Sequence, residues 1–268
     1  MKTTKKIGLA LGSGGIRGFA LIGVLQALEE NNIPISLISG SSSGSMVAAH
    51  YAIFKDPNLL KDEIIKCTKE HKLPSFFDLG LKGGLIRGGK LKKLAEKLFG
   101  DRTFSDTKIP LNILSTDLVD GRTYAFSEGN IASCVQASCT VPVLFEPFKT
   151  GGHYFVDGGL SDPVPVATLK KMGADITIGI SLYHKNEFFS RRFTVLRVAM
   201  RSSRIAVYNL ALASLRLADI GIIIDMSPFT GDNNFKKYTT PEMIQKIIRV
   251  GYKETIKQMP EIKKIINK

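Results

Sequence analysis

Short hydrophobic blocks, glycine-rich turns and helical patterns alternate through the first part of the chain. Residues 7–11 predict a buried strand, residues 12–15 a glycine turn, and residues 19–31 a helix with apolar positions three and four apart. Residues 35–39 predict a second strand, and the residues from 45 onward predict a second helix. The intervening Gly40-Ser41-Ser42-Ser43-Gly44 is therefore expected to be a strand-to-helix turn, because a flexible linker would not be flanked in this way.

The same alternation continues to the end of the chain. Helices are predicted over residues 90–99, 131–138, 165–173 and 188–217, with a last one opening at residues 240–241. Strands are predicted over residues 109–118, 122–127, 153–157, 174–182 and 220–225. This order indicates an α/β fold with a mainly parallel sheet covered on both faces by helices. Because no repeat, low-complexity tract or linker is evident, residues 1–268 are expected to form one domain.

Composition narrows the class of partner. The chain has 268 residues, 44% of them hydrophobic, so it can bury a sizeable core. Its 37 Lys and Arg against 24 Asp and Glu give a net charge of +13, which favours nucleic acid, an acidic membrane surface or a phosphate-bearing substrate. No run of 18 apolar residues occurs, so any membrane contact is expected to be peripheral. Three cysteines in no metal-ligand spacing predict a reduced, cytoplasmic setting.

Two glycine-rich segments are similar to nucleotide-binding loops without fitting them. In residues 12–18 the dinucleotide pattern fails, because Arg17 stands where its last glycine belongs. Residues 84–90 fit the P-loop spacing, but Leu91 replaces the Ser or Thr that binds Mg²⁺. The backbone amides of the first loop could instead hold the oxyanion of an acyl-transfer intermediate, which requires a nearby nucleophile.

Ser42 is the candidate nucleophile, because Gly40-x-Ser42-x-Gly44 has the spacing that lifts a serine hydroxyl out of a sheet. Sequential strands usually lie side by side, so the first and second loops should open at the same edge. The base could be His184, the one histidine downstream of Asp157, or Asp157 itself, which ends a predicted strand before two glycines. A turn without chemistry is the alternative reading of both segments.

Five segments together resemble the patatin-like phospholipase family. They are GLALGSGGIRGFALIGVLQAL, ISGSSSGSM, LNILSTDLVDGRTYAF, ASCTVPVLFEPF and YFVDGGLSDPVP, in the family's order and within residues 6–183. Ser13 replaces the first glycine of the family's usual loop pattern. The resemblance is closest to the small bacterial single-domain members, and it implies a three-layer α/β fold.

The resemblance also implies roles for particular residues. Ser42 would be the nucleophile, Asp157 the general base, the amides of Gly14 and Gly15 the oxyanion hole, and Arg17 a support of that loop. The implied reaction is hydrolysis of lipid acyl esters, of phospholipase A or lysophospholipase type, through an acyl-enzyme and without a metal ion or cofactor. General carboxylesterase or neutral-lipid lipase activity on the same Ser-Asp dyad is the alternative.

Beyond about residue 185 no family motif is matched, and the last third is predicted to be helical and basic. Arg197, Arg201 and Arg204 are four and three residues apart, which places them along one helical face. Such a helix could contact anionic lipid headgroups, although a solvated face is the commoner explanation of a charge run. A non-catalytic lipid- or nucleic-acid-binding protein is the alternative of a different class. Nucleic acid is the less favoured partner, because basic stretches interleaved with aromatics, a helix-turn-helix pattern and tryptophan are all missing.

Overall fold

A computed structural model describes residues 5–69, 88–185, 194–229 and 240–268. The strands in these ranges are β1 Ile7–Leu11, β2 Leu37–Ser41, β3 Leu111–Asp117, β4 Thr123–Phe126, β5 Phe148–Thr150, β6 His153–Asp157, β7 Ile176–Ser181 and β8 Ile220–Ile223. The α-helices are α1 Ala20–Glu30, α2 Ser43–Phe54, α3 Pro57–Lys69, α4 Gly89–Phe99, α5 Ile131–Ser138, α6 Val166–Lys171, α7 Val195–Leu215 and α8 Pro241–Ile266.

The strands form one mixed sheet in which parallel pairing dominates. β1 is parallel to β2 and β7, β2 is parallel to β3, and β7 is parallel to β8. β4 and β6 run antiparallel to β3, and β5 runs antiparallel to β6. The parallel strands therefore all end at one edge of the sheet, here called the carboxyl edge, and the loops that follow β1, β2, β3 and β7 open there.

The pairing of β3 brings the ends of two other strands together. Residues 111–114 of β3 pair with β2, and residues 115–117 pair with β6. Because β4 pairs with residues 113–116 and occupies the opposite side of β3, β2 and β6 share the other side. They run toward each other, so that β2 ends at Ser41 where β6 ends at Asp157.

The sheet separates two apolar cores, as expected of a three-layer fold. Side chains of β1, β2 and β7 on one face, among them Leu9, Ile38 and Ile178, pack with α1, α2, α3 and α8. On the other face Ala10 and Leu37 pack with buried residues of α6 and α7, including Leu169, Val207 and Leu215. Alternate residues of a strand face opposite sides, which explains why neighbours such as Leu9 and Ala10 belong to different cores.

The C-terminal helix α8 belongs to the first core. Its buried residues are spaced three and four apart, and they include Ile244, Ile248 and Ile262. It approaches α1 so closely that a Cβ added at Gly251 would lie 1.9 Å from the carbonyl oxygen of Ala20. The part of the chain without a family motif is thus packed directly against the first helix of the part that has one.

Most of the predicted helices and strands are present, but several have different bounds. β2 and α2 extend toward each other until Ser42 alone separates them, so the predicted serine-rich turn is far shorter than its sequence suggests. Helix α3 and strand β5 were not predicted; β5 has three residues, two of them exposed, and carries little hydrophobic pattern. Helix α7 begins at Val195, after the extended N-cap Thr194. The earlier part of that predicted helix, residues 188–193, lies outside the described residues.

Membrane-spanning helices were not expected from the sequence. Among the residues that the structure describes, no helix combines the length and the apolar character needed to cross a bilayer.

Candidate active site

Ser42 and Asp157 are in direct contact at the junction of β2 and β6. Ser42 follows the last residue of β2, and Asp157 is the last residue of β6. The Ser42 hydroxyl donates a hydrogen bond to Asp157 Oδ2 at 2.5 Å, and both side chains are buried. The structure thus brings together the two residues that the sequence analysis paired, although 115 positions separate them.

Ser42 has a backbone conformation that a side chain disfavours. Its φ of 53° and ψ of −125° lie outside the common regions for an L-residue, and such strain costs about 1–3 kcal/mol. The Ser42 N–H donates to the Ser138 hydroxyl at 2.9 Å, which in turn donates to the carbonyl of Leu114 at 2.5 Å. The Ser45 hydroxyl donates to the Ser42 carbonyl at 2.6 Å. Buried hydrogen bonds on both sides therefore hold the strained residue.

The glycines that flank Ser42 are required by close backbone contacts. A Cβ added at Gly44 would lie 2.1 Å from the carbonyl oxygen of Leu11, and one added at Gly40 would lie 2.4 Å from the carbonyl oxygen of Gly44. The first turn of α2 therefore rests directly on the end of β1. This contact explains in physical terms why the serine needs a glycine on each side at a spacing of two.

Asp157 is held on every side by polar contacts. Its Oδ1 accepts from the Gly159 N–H at 2.8 Å, and its own N–H donates to the carbonyl of Thr140 at 2.8 Å. Its carbonyl accepts from the Thr116 hydroxyl at 2.9 Å. Burial raises the pKa of the Asp157 carboxyl to about 6, and the hydrogen bonds from Ser42 and Gly159 lower it only in part. The carboxylate is therefore a stronger base than an ordinary aspartate.

The glycine loop lies beside this pair at the carboxyl edge. A 3₁₀ helix runs from Gly15 to Phe19 with Gly14 as its N-cap residue, and the first amides of a helix have no acceptor within it. Among the described residues, neither amide donates to a protein acceptor. A Cβ added at Gly18 would lie 2.5 Å from Cβ of Ser43, so this short helix contacts the residue next to Ser42. Both amides are thus available to an anion near the serine.

Arg17, to which the resemblance assigns support of this loop, contacts it directly. Its Nε donates to the carbonyl of Gly14 at 3.2 Å, and its guanidinium lies 4.9 Å from the centre of the Tyr183 ring. Ser13, which replaces a family glycine, donates from its hydroxyl to the Tyr183 hydroxyl at 3.3 Å. Arg17 and Ser13 therefore attach the glycine loop, by two separate contacts, to Tyr183, the second residue after β7.

The histidines are placed elsewhere. His184 lies 3.6 Å from Asp225 (Nδ1 to Oδ1), and the described contacts of Ser42 include no histidine. His153 pairs with Asp117 at 2.5 Å, and His50 is buried beside Glu63. His71 lies outside the described residues. A serine-histidine arrangement at Ser42 therefore has no support in the described geometry.

The three arginines of α7 lie along one stripe of the helix but differ in exposure. Leu215, which packs against the sheet, falls on the same stripe as Arg197, Arg201 and Arg204. Arg197 and Arg201 are half-buried, whereas Arg204 is exposed. Contact of these arginines with anionic lipid therefore stays a prediction.

Sequence reasoning missed three residues of the site. Ser138 and Tyr183 had no assigned role, although Ser138 lies in a segment that carries the family resemblance and Tyr183 follows a predicted strand. Cys139 lies with its thiol beside Ser42, where burial and then the charge of Asp157 raise its pKa. The three cysteines are free thiols. Each of these side chains enters the site through tertiary contacts that no local pattern encodes.

Two further features of the sequence concern metal ligands and the segment with P-loop spacing. In the described parts of the chain, no group of three or more His, Cys, Asp or Glu side chains is placed to hold a metal ion. Residues 84–87 of the segment with P-loop spacing lie outside the described residues.

Comparison with known proteins places the chain in a family. The patatin-like phospholipase family model matches residues 9–170, more than half of the chain. An uncharacterized NTE family protein of Mycobacterium tuberculosis is 32% identical over 184 residues, which cover 67% of this chain and 50% of that protein. Lysophospholipase NTE1 of Phaeosphaeria nodorum is 30% identical over 181 residues, which cover 66% of this chain and 12% of that protein. The matched region thus spans half or less of these curated relatives.

A solved structure shares the fold. The crystal structure of VipD from Legionella pneumophila superposes with a TM-score of 0.51 at 16% identity, and the match covers 97% of this chain and 67% of that chain. Together with the family match, this likeness confirms the predicted three-layer α/β fold class.

Ser138→Ala should loosen the turn at Ser42. The change removes the buried acceptor of the Ser42 N–H and a donor to the Leu114 carbonyl, so we expect the free energy of unfolding to fall by about 1–3 kcal/mol. Urea unfolding measures this loss. Ser133→Ala, on the exposed side of the same helix, is the matched control and should unfold like the wild type. Equal stability of both variants would contradict the assigned role of the Ser138 hydroxyl.

Asp157→Asn should stabilise the protein at pH 8. An unfolded aspartate ionises near pH 3.8 and native Asp157 near pH 6, so the native state keeps its proton longer and loses stability as the pH rises between these values. Above pH 6 the penalty is complete, up to about 3 kcal/mol. An asparagine carries no charge and so avoids this penalty: its oxygen can accept from the Gly159 N–H, while its NH2 group donates to the Ser42 hydroxyl oxygen. Thermal unfolding should give a higher Tm for the variant at pH 8 and a smaller gain at pH 5; a lower Tm at pH 8 would contradict this account.

Proposed function

This chain belongs to the patatin-like phospholipase family, and on that premise we propose that it hydrolyses acyl esters of lipids with Ser42 as nucleophile and Asp157 as general base. The observation that carries this assignment is the 2.5 Å hydrogen bond from the Ser42 hydroxyl to the buried Asp157 carboxylate. The free amides of Gly14 and Gly15 support it further, since they lie at the same edge of the sheet.

In the first half of the reaction the Ser42 hydroxyl attacks the ester carbonyl while Asp157 takes its proton. The developing oxyanion is stabilised by the amides of Gly14 and Gly15, which Arg17 holds in place. The protonated Asp157 then gives its proton to the departing alcohol, and an acyl ester remains on Ser42. In the second half a water molecule loses a proton to Asp157 and attacks the acyl carbon. Asp157 then returns this proton to Ser42 Oγ as the bond between Oγ and the acyl carbon breaks, which releases the fatty acid and restores the enzyme.

A single aspartate can serve this chemistry because its environment adjusts its basicity. With a pKa of about 6, Asp157 is still about nine-tenths ionised at pH 7 and accepts a proton more readily than a solvated aspartate. Direct contact with Ser42 also speeds the reaction, because base and nucleophile are already in position and need not meet by diffusion.

The substrate is proposed to be a phospholipid or a lysophospholipid. Support comes from the family match and from the fungal relative, whose name is lysophospholipase. We also propose that residues 1–268 act as one hydrolase domain and that the protein meets its substrate as a peripheral protein at an anionic membrane surface. The net charge of +13 supports the last point.

Covalent labelling tests the assignment directly. We expect a fluorophosphonate probe to label the wild type and Ser43→Ala, whose hydroxyl has no partner among the described residues, but not Ser42→Ala. Asp157→Asn should label at least about a hundredfold more slowly, as loss of a general base implies, and His184→Ala at the wild-type rate. Labelling of Ser42→Ala, or loss of labelling in His184→Ala, would reject the dyad. If the protein hydrolyses glycerides or simple esters but not phospholipids, the dyad stands and the proposed substrate class is wrong.

The pH dependence should report the base. Because Asp157 must be ionised, we expect kcat/KM for a short-chain ester to fall about tenfold per pH unit below pH 6 and to be level above it. Asp162→Asn is the matched control, because burial also raises the pKa of Asp162 to about 6, yet that carboxyl contacts Thr168 and not Ser42. The acid limb should be unchanged in this variant. Its disappearance would assign the titration to Asp162 instead.

A further inference from the structure

Exposed apolar side chains are concentrated at the carboxyl edge of the sheet, where Ser42 lies. Five of them form what is here called the apolar rim: Leu118, Val119, Tyr154, Val195 and Val198. Val195 is 91% exposed, Val119 75% and Leu118 55%. Burying such side chains is favourable, so a group of them beside a candidate active site requires an explanation.

One part of the rim stands on the antiparallel extension of the sheet. β3 continues three residues beyond Leu114, its last partner in β2, which corresponds to about 10 Å of strand. Leu118 and Val119 occupy the turn after β3, and the Leu118 N–H donates to the carbonyl of Tyr154 at 2.8 Å. These three side chains therefore project beyond the ends of the parallel strands.

The other part of the rim stands on the first turns of α7. Because β7 and β8 are parallel, the connecting helix runs back from the carboxyl edge, and Val195 is at its outer end. The first buried apolar side chain described on this helix is Val207, about 18 Å further along. α7 contacts the 3₁₀ helix Gly158–Leu160, which follows Asp157, and Val198 lies on the side of α7 opposite to Val207. The rim thus has members on two elements next to the dyad.

Cations accompany the rim on both elements. Arg122 lies in the same turn as Leu118, with 85% of its side chain exposed, and the ammonium of Lys149 lies 5.0 Å from the centre of the Tyr154 ring. Arg197 is half-buried on α7. Two carboxylates of the extension are paired, Asp120 with Arg122 and Asp117 with His153. Exposed apolar side chains that are bordered by cations, on a chain with a net charge of +13, are complementary to an anionic lipid surface.

We propose that the apolar rim inserts into an anionic lipid bilayer and directs the carboxyl edge, with Ser42, toward the membrane. This inference rests on the proposed lipid hydrolysis. It adds to that function the surface by which the protein approaches its substrate. The side chains of α7 that face the bilayer in this arrangement are Val195 and Val198.

Binding to vesicles tests the rim without any catalysis. In a Ser42→Ala background, the triple variant Leu118→Ser, Val119→Ser and Val195→Ser should bind vesicles of phosphatidylcholine and phosphatidylglycerol at least about tenfold more weakly than its parent in co-sedimentation. All three side chains are at least half exposed, so folding should not suffer. Leu217→Ser is the matched control, since Leu217 is 50% exposed but follows the other end of α7. It should bind like the parent.

Several outcomes would overturn the proposal. Equal binding of the parent and the triple variant would do so, as would binding of the parent to pure phosphatidylcholine vesicles as strongly as to anionic ones. A parent that sediments as a dimer, and becomes monomeric only in the triple variant, would instead assign the rim to self-association. Fluorophosphonate labelling of the same variants with Ser42 intact judges the hydrolase separately, because a small soluble probe needs no membrane.

Discussion

The candidate site depends on one constraint, the shared side of β3 on which β2 and β6 meet end to end. β2 delivers Ser42 from one direction and β6 delivers Asp157 from the other, so the contact between them is a property of strand pairing. The glycine loop joins them because β1 is the parallel neighbour of β2. No flexible segment is needed to bring nucleophile, base and amides to one point.

The junction of β2 and β6 contains two features that destabilise the folded state, and the surrounding hydrogen bonds offset them. A serine at positive φ and a buried carboxylate would each destabilise an isolated turn. Around them, hydroxyls of Ser138, Ser45 and Thr116 donate to backbone carbonyls, and the amides of Ser42 and Asp157 have buried acceptors. The strain is thus fixed by hydrogen bonds within the protein itself, which is what a preorganised site requires.

Much of the fold and part of the candidate site could be predicted from the sequence. Strong periodicity predicted most of the helices and strands, and the flanking of Ser42 by a strand and a helix excluded a linker. Asp157 as the partner of Ser42 came from the resemblance, since spacing alone left His184 as an alternative. Ser138 and Tyr183 were not foreseen, because their contacts span 96 and 170 positions. The burial of the α7 arginines, half-buried at Arg197 and Arg201 and exposed at Arg204, depends on which side of the helix packs against the sheet, and a helical spacing does not specify that.

The pairing of β6 with β3 involves only three residue pairs, yet it decides which way Asp157 points. A shift by one residue would turn its side chain to the opposite face of the sheet. The hydroxyls of Ser115 and Thr116 bind the carbonyls of Val156 and Asp157, and so they fix the strand against such a shift. Evolution should therefore tolerate insertions at the exposed glycine turn between β5 and β6, whereas a single residue inserted within β6 would separate the dyad while leaving both of its members in the chain.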